Sequence, residues 1–136
     1  MAFMEWSQKF SVGIPVFDDE HKKLIVIIND LHGGIAAGTE KEALQRATNR
    51  LIEYTILHFQ HEEMYFEDWV YPEAAQHAAM HAELKRKVFA YRSRIEQEES
   101  SELAAEMLRF LRDWLAQHIL VEDKKFGAFL FDKGLR

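Results

Sequence analysis

Apolar residues recur at helical spacing four times along the 136 residues of this chain, and each stripe contains histidines or carboxylates. Leu24, Ile25, Ile28, Leu31 and Ile35 form the first stripe, and Leu44, Ala47, Leu51 and Thr55 the second. Ala74, Ala78, Leu84, Val88 and Ile95 form the third. Leu103, Ala104, Met107, Leu108, Leu111, Trp114 and Leu115 form the fourth. A helix with one apolar side must bury it against another element. Four such helices with short connections predict an all-α fold, an antiparallel up-down-up-down four-helix bundle. No stretch reads as a strand, a repeat or a low-complexity segment.

The stripes also set the boundaries. Residues 1–17 carry Trp6, Phe10, Val12, Ile14 and Phe17 without a helical period, which predicts an ordered N-terminal arm laid along the domain. The bundle is expected over 18–125 and a short aromatic tail, packed back on it, over 126–136. The whole chain, 1–136, is then one domain. Asp18 or Asp19 offers a cap for the first helix and Gly38 a stop. Gly33 and Gly34 would allow a neighbour to approach. Thr39 and Glu42 have capping-box spacing, and Pro72 suits the first turn of the third helix. Glu96 to Ser101 reads as a solvated turn in which Ser100 or Ser101 caps the last helix. Lys124 and Lys125 fall near that helix's end, where cations complement its dipole.

Composition narrows the function. A formal net charge of −6 argues against general nucleic-acid binding, which needs a basic face. Without cysteine there is no disulfide, zinc–thiolate or iron–sulfur site. No apolar run is long enough to span a membrane, and the N-terminus lacks the form of a signal peptide. A cytoplasmic protein is expected, and a monomer, since no large apolar surface stripe is left over.

The polar residues inside the stripes carry the chemistry. His58 and Glu62 are four apart on the inner side of the second helix, as are His77 and His81 on the third. His21 is early in the first helix and His118 late in the fourth. Antiparallel order brings the start of helices one and three to the end of two and four, so all six reach one end of the bundle. Asp123 is the difficult member. Five residues of ideal α-helix leave it about 140° away from His118, and a π-turn after His118 would bring it inward. His32 shares the face of His21 but lies about 16 Å further along the axis, so it is read as structural. His61 and Glu63 are read as surface residues or as partners behind the ligands. A buried carboxylate needs a cation or a full set of donors. Five imidazoles and two carboxylates are too many for one zinc ion and suit two octahedral ions. Imidazole-rich coordination admits iron, copper or zinc, and carboxylate bridges favour di-iron. The H-E-x-x-H signature of zinc proteases and the Glu-x-x-His pairs of carboxylate di-iron bundles are both missing.

The motifs Asp18-x-x-His21, His58-Phe59-x-x-Glu62-Glu63, His77-x-x-x-His81 and His118 followed five residues later by Asp123 resemble the hemerythrin family, specifically the single-domain bacteriohemerythrins. The resemblance runs from Trp6 to the tail. It implies that His77, His81 and His118 hold one iron and His21 and His58 another. Glu62 and Asp123 would bridge the two Fe ions (Fe2+/Fe3+) together with an oxo or hydroxo group, leaving one coordination position for dioxygen. Leu24, Phe59, Trp114 and Leu115 lie within a turn of these ligands and are expected to line that position as an apolar pocket. The implied role is reversible oxygen storage, transport or delivery, with an oxygen-accepting protein as partner and no catalytic residue. The rivals are a sensor of oxygen, redox state or nitric oxide, and a di-iron peroxidase or nitric-oxide-consuming enzyme.

Overall fold

A computed structural model describes residues 2–38, 41–98 and 101–135. Helix α1 spans Pro15–Ala36, α2 Lys41–Asp68, α3 Ala74–Glu98 and α4 Ser101–His118. Each packs on the next, and α1 closes on α4. The four stripes therefore share one core, and the bundle expected from the periodicity is the fold. Among the described residues there is no strand. Leu24, Ile28, Leu31, Leu51, Leu84, Val88, Met107 and Leu108 are each at most 1% exposed. Burying one such side chain is worth about 1.5–3 kcal/mol, which explains why the stripes dictate the architecture. Thr48 and Thr55 enter this core by turning their hydroxyls back to the carbonyls of Leu44 and Leu51, at 2.9 and 2.8 Å.

Helix ends depart from expectation in instructive ways. α1 starts at Pro15, before Asp18, because proline is preset for the first helical position and lacks only an N–H that would be unbonded there. Asp18 does not cap the helix; its carboxylate faces the arm, accepting the Val12 N–H at 2.8 Å and the Ser11 hydroxyl at 2.6 Å. Gly38, at φ +70°, does close α1. Gly33 looks onto open space, so no neighbour approaches there. Thr39, half of the expected capping box, lies outside the described residues, as do Glu99 and Ser100. Glu96–Glu98 continue α3 and Ser101 belongs to α4, so the expected turn is shorter than its charge run suggests.

α2 ends in a Schellman motif. The Tyr71 N–H bonds the Phe66 carbonyl at 2.9 Å and the Val70 N–H bonds that of Glu67 at 3.3 Å. The Tyr71 and Phe66 rings meet at 5.5 Å, the apolar contact that usually accompanies this stop. Pro72 follows at once and stands in the turn before α3, where the Ala74 N–H bonds the Tyr71 carbonyl at 3.1 Å, rather than inside the helix.

The C-terminal segment expected as an aromatic tail is helical. α5, Lys124–Asp132, buries Phe126, Gly127 and Leu130. The four-residue offset of Phe126 and Leu130 gives it an apolar side too short to stand out in the sequence. Lys124 and Lys125 consequently open α5 and do not stand at the C-terminal end of the last helix.

Candidate metal centre

The seven polar residues of the stripes meet at one end of the bundle. α1 supplies His21, α2 His58 and Glu62, α3 His77 and His81, and α4 His118, none more than 5% exposed. Asp123 joins them through a π-turn. From Ile119 to Asp123 the helix widens, and the Lys124 N–H bonds the Ile119 carbonyl five residues back. Five residues of such a ladder make about one full circuit, so Asp123, only 2% exposed, comes back to the side of His118.

Two half-sites share the carboxylates. In one, the Nε2 atoms of His77 and His81 lie 2.9 and 3.2 Å from that of His118. Asp123 Oδ1 is 3.0 Å from His77 Nε2 and 3.2 Å from His118 Nε2, while Glu62 Oε1 is 3.2 Å from His81 Nε2. In the other half, the Nε2 atoms of His21 and His58 are 3.0 Å apart. Asp123 Oδ2 is 3.2 Å from His21 Nε2, and Glu62 Oε2 is 3.6 Å from His58 Nε2. Each carboxylate thus sends one oxygen each way. Glu62, His77, His81, His118 and Asp123 form a five-donor set and His21, His58, Glu62 and Asp123 a four-donor set.

These donors fit cations. Ligands bound at right angles to one ion, each about 2.1 Å away, lie about 3 Å apart, which is the spacing of the imidazole nitrogens here. Both oxygens of Glu62 and Oδ1 of Asp123 are buried without a hydrogen-bond partner. Carboxylates in that condition are costly unless a cation meets them. Burial and the nearby Asp123 push the Glu62 carboxyl well above its usual range. Burial acts to raise Asp123 too, but the imidazoles of His118, His21 and His77 outweigh it and hold it well below. Burial, reinforced by His77 and His118, lowers His81 to about 2, and burial also lowers His58. Neutral imidazoles are the state that binds metal.

A second layer orients the rings. Glu20 Oε1 lies 2.6 Å from His58 Nδ1, and Glu63 Oε2 lies 3.0 Å from His81 Nδ1. With Nδ1–H donated to a carboxylate, Nε2 is left bare toward the site. One carboxylate-backed histidine therefore belongs to each half. Glu20 is the residue that sequence reasoning missed. It reads as first-turn acid on α1, and only the packing of α1 on α2 shows that it reaches His58. His61 is a partner behind the ligands, its Nδ1 2.5 Å from Glu20 Oε2.

The four residues expected to line a pocket are all near the core of this end. Phe59 lies flat on His81, ring centroids 3.8 Å apart, and Trp114 stacks on His118 at 4.3 Å. Leu24 and Leu115 are buried within the same core. Trp114 also lines a cavity of about 530 Å³ with Met80, Phe110 and Val121, which reaches His118 from the surface. His32 stacks on Phe3 at 4.3 Å and belongs to neither donor set. Among the described residues no helix is long and apolar enough to cross a membrane.

Known proteins resemble this chain in sequence and fold. Residues 12–130 match the family model described as the hemerythrin HHE cation binding domain. Bacteriohemerythrin of Methylococcus capsulatus is 32% identical, over 96% of this chain and 98% of that protein. Bacteriohemerythrin of Pseudomonas aeruginosa is 33% identical, over 90% of this chain and 78% of that one. A crystal structure of wild-type hemerythrin superimposes with a TM-score of 0.86 at 29% identity, covering 95% of this chain and 98% of its own.

Proposed function

Because the chain belongs to the hemerythrin family, its buried cluster being a non-haem metal site of that type, we propose that it binds dioxygen reversibly at a di-iron centre and serves oxygen storage, transport or delivery. Two iron ions bound there would supply reversible electron transfer to dioxygen. His77, His81 and His118 would hold one ion, His21 and His58 the other, with Glu62 and Asp123 spanning both. The observation that carries this reading is the inequality of the two donor sets, five against four. Equal occupancy of both positions leaves the His21–His58 side one donor short, and so open to a small exogenous ligand.

The surrounding residues support carriage over turnover. Phe59 and Trp114 cover the rings of His81 and His118, and Leu24 and Leu115 lie one turn from His21 and His118, so the four would surround the centre with apolar side chains, which disfavours water and anions. The carboxylates nearby are engaged: Glu20 and Glu63 are bonded to ring nitrogens, and Asp113 and Glu122, which line the cavity beside Trp114, pair with Arg112 and Lys125. The name bacteriohemerythrin borne by the relatives agrees with this reading.

The test is metal analysis with optical spectra of the ferrous protein before oxygen, after it, and after degassing. About two irons per chain and a band that appears with oxygen and vanishes on degassing are expected. A band that does not reverse, or peroxide or nitric-oxide turnover well above that of free iron, would replace the carrier with an enzyme.

A further inference from the structure

His21 and Asp123 come from opposite ends of the chain, yet His21 Nε2 and Asp123 Oδ2 stand 3.2 Å apart. Both lie near helix junctions, His21 two turns into α1 and Asp123 at the close of the π-turn. The N-terminal arm connects the two supports. On α1, Asp18 precedes His21 by three residues and accepts the Val12 N–H and the Ser11 hydroxyl. On α5, Gly127 follows Asp123 by four residues and backs onto the Val12 carbonyl. A Cβ at Gly127 would collide with the Val12 oxygen and come within 3.0 Å of its carbonyl carbon and its Cβ. That obstacle is backbone, which cannot swing aside as a flexible side chain can. Offsets of three and four residues are one helical turn, so each contact bears on the turn that carries the ligand. Val12 and Gly127 are both buried.

We propose that Asp18, Val12 and Gly127 form a tie that sets the spacing of His21 against Asp123, making Asp18 and Gly127 positioning residues for the four-donor half of the site. That this half holds a metal rests on the reading of the preceding section. His21 and Asp123 are two of its four donors, whereas Asp123 alone belongs to the five-donor half. A slackened tie therefore degrades one position far more than the other. It also gives a purpose to Asp18, whose spacing from His21 is part of the sequence motif but which donates nothing to the centre.

The test titrates metal-free, full-length protein with Co(II), followed by calorimetry and visible absorption, alongside metal-free melting temperatures. Wild type should take up two equivalents; uptake of none, or unaltered uptake by Glu62→Ala, would count against the metal-site reading itself. Given two equivalents, Asp18→Ala and Gly127→Ala should weaken the second about tenfold or more and leave the first within about threefold. Asp18→Asn should stay near wild type, since its amide oxygen can accept the Val12 N–H and its nitrogen can donate to Ser11 Oγ. Parallel weakening of both equivalents, or of neither, would overturn the tie. So would Asp18→Asn behaving like Asp18→Ala, because charge near the helix start would then be the cause. If Gly127→Ala does not fold, the two Asp18 variants decide the matter.

Discussion

Glu20 holds two imidazoles with one carboxylate, Oε1 at 2.6 Å from His58 Nδ1 and Oε2 at 2.5 Å from His61 Nδ1. The two rings play different parts. His58 is 3% exposed and turns Nε2 into the four-donor set, while His61 is half-buried and on the outer side. The carboxylate fixes the His58 tautomer, and His61 steadies the carboxylate. Burial acts to raise Glu20, but its bonds to His58 and His61 prevail and hold it below its usual range.

Glu20→Gln should therefore weaken metal retention. The amide can accept from only one of the two N–H groups and presents its own N–H₂ to the other. Loss of such a partner commonly costs about 10–100-fold in affinity. Competition with a chelator measures it, and an unchanged midpoint would reduce Glu20 to a surface contact. His61→Ala should produce a smaller loss in the same assay, because Glu20 keeps its bond to His58.

The two shared carboxylates give a sharper contrast. Glu62→Ala or Asp123→Ala removes a donor from both half-sites at once, so iron per chain should fall clearly below two. His32→Ala removes only a ring stacked on Phe3 and should leave the iron count unchanged. Two irons per chain in either carboxylate variant would refute the assignment.

Val70 offers a stability test away from the metal. It occupies the left-handed position of the Schellman motif at φ +53°, where a β-branched residue is strained, and it is 80% exposed. Val70→Gly should relieve about 1 kcal/mol of strain and give up almost no packing. Part of that gain is offset by the greater freedom of glycine in the unfolded chain. The expected rise in melting temperature is roughly 1–2 °C. A fall would mean that the freedom glycine gains in the unfolded chain outweighs the strain relieved.

The bundle and the converging polar residues were legible because both follow from periodicity. A helix face is a spacing rule, and antiparallel order turns position along the chain into height in the bundle. Asp123 could be placed only conditionally, since a π-turn has no residue signature and the pattern merely required one. Helix starts and the nature of the tail were less legible. Pro15 outcompeted Asp18 as the start because ring geometry presets the backbone, and the Asp18 carboxylate had a better use on the arm. Glu20 was hidden for a different reason: which residue of α1 faces His58 depends on how two helices roll against each other, and no spacing within one helix encodes that.

Leu115 tests the proposed pocket. It is 2% exposed and one turn before His118 on α4. Leu115→Ala would leave a cavity beside the ligands and cost about 2–5 kcal/mol of stability, like any buried leucine. Stability alone cannot separate a pocket wall from core packing, so a matched control is needed. Leu108 is fully buried on the same helix but about 15 Å from His118 along the axis, and Leu108→Ala makes the same truncation there. If the wall excludes water from the open position, Leu115→Ala should lose its oxygenated band several times faster than wild type while Leu108→Ala keeps the wild-type rate. Equal rates in the two variants would make the effect one of loosened packing, and an unchanged rate in Leu115→Ala would leave Leu115 an ordinary member of the core.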